Sequence, residues 1–159
     1  MNNKIENIIK YLCKNYPHKN ELSKARLTKL VYLADWFSSL VRDKQITDIE
    51  WIFNHYGPYV DDITNIAIES EEFNIITTMT NFGGNKYLIQ LKNEDISIDI
   101  EEDEEKILDF VIEKTKGMYF DNFIEYVYST YPVTSKERYS KLDLVTLAKE
   151  YKTINSFNN

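Results

Sequence analysis

Two histidines, one cysteine and a run of carboxylates are the side chains of this 159-residue sequence best suited to chemistry. A nucleophile–histidine pair would require His18 or His55 to meet a hydroxyl or thiol across the fold, and neither stands in a nucleophile motif. Cys13 occupies a helical position beside Ile9 and Leu12, where it reads as a small hydrophobe. His55 precedes Tyr-Gly-Pro, so it is either a base or a corner imidazole bonded to backbone, and the second role is the simpler. Positions 99–105 are acidic apart from Ile100. Consecutive acids point in different directions and no histidine lies near them, so they suit the positive end of a helix dipole better than a metal ion. Gly83 and Gly84 are followed by no Lys-Ser/Thr pair and so do not make a phosphate loop. No catalytic residue, cofactor site or metal site is expected, and no residue argues for an enzyme.

A single cysteine allows no internal disulfide, which fits a reducing cytoplasm. Nineteen basic against 26 acidic residues give a net charge of -7, which opposes the counterion release that dominates nucleic-acid affinity. His18, Lys19, Lys24, Arg26 and Lys29 nonetheless lie close together, as a solvated helix start or a phosphate-binding site. The N-terminal residues carry no unbroken apolar leader, and the densest apolar run, 30–37, is interrupted by Asp35, so no membrane association is expected.

These residues must be positioned by elements that periodicity reveals. Ile5, Ile8, Ile9 and Leu12 recur at helical spacing and predict a helix over 3–15. Residues 23–42 predict a central helix whose stripe of Leu27, Leu30, Val31, Ala34, Phe37 and Val41 is widened by Leu33, Trp36 and Leu40. Residues 51–53 form a short apolar segment, and Pro58, with φ already near the helical value, is placed at the first position of a helix continuing through Ile63, Ile66 and Ala67. Segments 73–80 and 86–92 read as a hairpin, with Ile96, Ile98 and Ile100 as a third strand or an extended arm. A helix follows the acidic run and ends at Gly117; another spans Phe120 to Tyr128 and stops at Pro132; a last one covers 142–151. The fold class expected is α+β, a predominantly helical single domain over 1–152 with a small inserted antiparallel hairpin or three-stranded sheet, and a polar, frayed tail over 153–159.

Taken in order, LTKLVYLADWF (27–37), ITD (46–48) and HYGPYV (55–60) resemble the Panacea domain, the family of SocA-like antitoxins, and EEKILDFVIEKTKGMYFDNFIEYVYSTYP (104–132) agrees more loosely. Where a histidine and a tryptophan would be sought in that family, near 135–145, the chain reads SKERYSKLDLVTLA instead. The resemblance implies a non-enzymatic antitoxin of a bacterial or phage toxin–antitoxin system. Its partner would be a cognate protein toxin encoded beside it, neutralised by direct binding or, less often, by delivery to a protease. It also implies an architectural role for Leu27, Lys29, Leu30, Tyr32, Leu33, Ala34, Trp36, Gly57 and Pro58. Twelve tyrosines suit a binding surface, since tyrosine offers contact area at low entropic cost. Tyr56, Tyr59 and Phe82 are expected to contact the partner because corners and hairpin tips project. A winged-helix regulator of transcription is the competing reading, opposed by the negative charge.

Overall fold

The computed structural model describes residues 3–80 and 83–157 and shows a mainly helical α+β fold. Its contacts gather into two compact units, residues 1–28 with 61–117 and residues 29–60 with 118–159.

In the first unit, helix α1 (Asn3–Asn15) buries Ile5, Ile8, Ile9 and Leu12, the stripe that its spacing predicts. A single 3-10 turn (Lys19–Glu21) leads to α2 (Lys24–Arg42). Ser23 caps α2 by accepting the amide of Arg26 at 3.1 Å. Helix α3 (Asp62–Glu69) buries Ile63 and Ala67. Strands β3 (Phe73–Met79) and β4 (Asn85–Leu91) form the expected antiparallel hairpin, with Ile75 opposite Ile89. The outer edge of β4 is covered at Leu22, whose carbonyl accepts the Ile89 amide at 3.0 Å. Ile96, Ile98 and Ile100 lie in a segment without helix or strand and add no third strand to the hairpin. Helix α4 (Glu102–Thr115) uses the acidic run as a capping box between Glu101 and Glu104, and buried Glu104 pairs with Lys4 at 2.7 Å. Among the described residues no cluster of three or more His, Cys, Asp or Glu could hold a metal ion. The supposed basic patch dissolves too: Arg26 and Lys29 are buried, and Arg26 donates to the Tyr16 hydroxyl at 3.0 Å.

In the second unit, α2 continues from Lys29 and ends at Arg42, and the left-handed φ of 60° at Asp43 closes the helix where glycine is more usual. Val41, assigned above to the apolar stripe, is 75% exposed. Strands β1 (Trp51–Asn54), β2 (Gly57–Tyr59) and β5 (Lys141–Leu142) make a three-stranded antiparallel sheet in the order β2-β1-β5. Pro58 therefore lies in a strand, not at the start of a helix, and α3 begins at Asp62. A missing N–H is tolerated at a helix start and on a sheet edge alike, and β2 is an edge strand, so proline alone did not distinguish the two. Helix α5 (Phe120–Tyr128) buries Phe123 and Val127; Pro132 opens the short α6 (Tyr131–Ser135) and does not merely end its predecessor. Gly117 follows the α4 cap at Lys116 but has no positive φ, so its freedom is not used there. Helix α7 (Leu144–Phe157) starts two residues later than expected and takes in residues 153–157, placed above in a tail.

The loop between α2 and β1 is held by one carboxylate. Asp35, fully buried, accepts from the amides of Ile46 and Thr47 at 2.9 Å each, the Thr47 hydroxyl at 2.5 Å and the Trp51 indole at 2.8 Å. Replacing Asp35 with alanine orphans these buried donors, and we expect a loss of roughly 3–5 kcal/mol in urea denaturation.

Candidate functional site: the β1–β2 corner

Asp35 and Trp51 fix where β1 begins, and antiparallel pairing of Ile52 with Tyr59, Phe53 with Pro58 and Asn54 with Gly57 carries that placement to a corner at His55 and Tyr56. Neither turn residue has a positive φ; Gly57 completes the reversal at 101°. This conformation and the space around it both call for glycine. An added Cβ would stand 3.3 Å from Cε2 of Tyr128 and 3.6 Å from Cε of Lys29. Pro58 is buried beside it, while Tyr59 is half-buried.

The segment from Lys136 to Ser140 lies along the same corner. The amide of Phe53 donates to the Ser140 carbonyl at 2.9 Å, and the amide of Tyr139 donates to the Phe53 carbonyl at 2.5 Å. Arg138 donates through Nε to the His55 carbonyl at 3.1 Å and places its guanidinium 5.6 Å from the Phe53 ring centre. The hydroxyl of Tyr139 is 3.4 Å from Nδ1 of His55, and His55 meets Tyr56 edge to face at 4.5 Å. Tyr56 and Tyr139 remain 75% and 67% exposed. Tyr139 holds a left-handed φ of 70°, a conformation rare for a bulky residue.

Beneath this surface lies Lys29, 3% exposed, with Nζ 5.7 Å from the ring centre of Tyr59. Burial lowers its ammonium from 10.5 to about 8. Leu27, Leu30, Tyr32, Leu33, Ala34 and Trp36 of the same motif are buried as well. Tyr32 bonds the Thr130 hydroxyl at 2.8 Å and packs edge to face on Trp51 at 5.6 Å. Of the three expected contact residues, Tyr56 projects, Tyr59 faces Lys29, and Phe82 lies outside the described residues. Arg138 and Tyr139 join the corner without having been picked out, because nothing in SKERYSK announces a left-handed tyrosine. An imidazole, two exposed phenol rings and a guanidinium on a braced turn can offer stacking and hydrogen-bonding contacts.

The corner is thus an exposed turn carried on a buried, largely apolar framework. The family follows from a match over residues 27–132 to the family model described as antitoxin SocA-like, Panacea domain; the chain belongs to this family. The match takes in α2 from Leu27 onward, the Asp35 loop and β1–β2 but not Arg138 or Tyr139. No curated protein and no solved structure gives a significant match.

Two substitutions test this geometry. Gly57→Ala should cost about 1–3 kcal/mol, through φ and the contact with Tyr128, measured as a fall in denaturation midpoint. Lys29→Met should do the reverse at neutral pH. A lysine lowered in the folded state makes its contribution above its unfolded value near 10.5, and that contribution is lost as pH falls through about 8. The methionine variant should therefore gain roughly 2–3 kcal/mol over wild type near pH 7, with the gap narrowing as pH rises toward 10.

Proposed function

We propose that this chain neutralises a cognate protein toxin, encoded by the adjacent gene, by binding it directly through the β1–β2 corner, without catalysis and in the cytoplasm. The family supports an antitoxin role and hence a toxin partner. The observation that carries the choice of surface is the pair of exposed rings, Tyr56 and Tyr139, on a turn braced by Arg138 and Gly57. Tyrosine and arginine are the residue types that concentrate binding energy at interfaces, and a rigid turn loses little entropy when it is covered. Among the described residues no helix is long and apolar enough to cross a membrane, which suits a partner met in solution. The charge of -7 would speed encounter with a basic toxin.

The product of the neighbouring reading frame, toxic when expressed alone, should lose its toxicity on co-expression and co-purify with this chain. Tyr56→Ala and Tyr139→Ala should each weaken that complex at least tenfold by calorimetry with little change in thermal midpoint, whereas Ile68→Ala, an exposed site on α3, should leave it unchanged. Equal affinity in all three variants would remove the corner as the interface, and a complex that never forms would end the direct-binding reading.

A further inference from the structure

Other buried charged side chains of the fold have a counterpart. Arg26 has Tyr16 and Glu21, Glu104 has Lys4, and Asp35 has donors from Ile46 and Thr47 of its loop and from Trp51. Lys29 differs. Its surface is 3% exposed, no hydrogen bond or ion pair involves its ammonium among the described residues, its Nζ keeps a small opening to solvent, and the face of Tyr59 lies 5.7 Å from it. Burial is the only influence on its titration, with no nearby charge offsetting it. An ammonium in this condition carries a cost that an apolar side chain of the same length would avoid.

The space around it is kept by design of the backbone. Gly57 adopts a conformation other residues avoid, and its missing Cβ leaves room where Cε of Lys29 and the Tyr128 ring come within 3.6 Å and 3.3 Å of the vacant position. The ring facing the ammonium is that of Tyr59 on β2, while Tyr128 on α5 and the Lys29 stem both border the Gly57 gap, and neither phenol is acidic at neutral pH. We infer that Lys29 is the anchoring cation of a site that takes a carboxylate, an aspartate, a glutamate or a C-terminus, from the bound protein partner. The inference rests on the direct-binding reading and names the chemistry it would use. One ammonium balances one carboxylate, and the aromatic face covers the hydrocarbon side of the incoming group. A phosphate, with two charges and a demand for several donors, is poorly matched to a lone lysine on a chain of charge -7.

The test follows the Lys29 ε-carbon resonance by NMR as pH is raised, in the free protein, with chloride, acetate or inorganic phosphate at equal ionic strength. We expect a midpoint near 8 in chloride, raised by about one pH unit in 0.1 M acetate and not in phosphate. An unmoved midpoint in acetate, or a rise in phosphate alone, overturns the inference. In the complex with the neighbouring gene product, Lys29 should stay charged beyond pH 10, and Lys29→Met should weaken binding at least thirtyfold while remaining folded. A complex that forms equally well with Lys29→Met sinks the carboxylate site and leaves direct binding standing. A complex that never forms sinks direct binding, and the acetate titration then decides the site alone.

Discussion

The buried carboxylate of Asp35 is the constraint on which the second unit depends. It sits on the buried side of α2, and burial pushes it up to about 6 because the lost hydration outweighs the bonds it accepts. Those bonds come from Ile46, Thr47 and Trp51, with the Gln45 amide at 3.4 Å, so the loop after α2 cannot slide without abandoning several buried donors together. Gln45 also donates to the carbonyls of Thr47 and Ile49 at 3.1 Å and 3.0 Å, tightening the same loop. Because one donor is the indole of Trp51, the first residue of β1, the strand's register starts from the helix. A network of this kind gives more in uniqueness of conformation than in net free energy, since an apolar cluster could supply comparable stability but not the directions.

Much of this was legible in the sequence, and what was missed has identifiable causes. α1, α2 and the β3–β4 hairpin were readable because their apolar spacing persists over several turns or strand pairs. The Gly57–Pro58 step was assigned to a helix because proline's fixed φ and absent donor suit a helix start and a sheet edge equally, and three residues are too few for periodicity to decide. β5 is two residues long and exists only because Trp51 and Ile52 offer it a partner. Tyr139 could not be found by inspection, since its left-handed backbone is imposed by bonding to Phe53 and not by its own preference. Lys29 was visible as part of a pattern, but its burial depends on β2 folding back across it.

Three departures from comfortable geometry and solvation meet at one place. Gly57 and Tyr139 hold positive φ values and Lys29 is an ammonium with no counter-charge among the described residues, all around the same hairpin. Other charges of this unit are matched, as at Asp35 or where Lys152 donates to Asp43 at 2.7 Å. Local costs of this sort persist when surrounding structure enforces them, and they cluster where a protein meets something else. The Asp35 network is what enforces them here. It fixes β1, β1 fixes β2, and β2 lays Tyr59 across Lys29.

The corner is also where two parts of the chain with different relationships to the family are joined. His55, Tyr56 and Gly57 fall inside the stretch that matches the family model, whereas Arg138 and Tyr139 fall outside it. Tyr139 attaches to the hairpin through its own backbone amide, which donates to the Phe53 carbonyl, whereas Arg138 reaches the His55 carbonyl with its side chain. Backbone attachment makes few demands on side-chain identity, so the residue at 139 can change while the turn it rests on stays the same. If the corner is the binding surface proposed here, the matched half supplies position and a buried cation, and the unmatched half supplies rings that a different partner could exchange for others. Specificity could then drift without disturbing Asp35 or the strand it aligns.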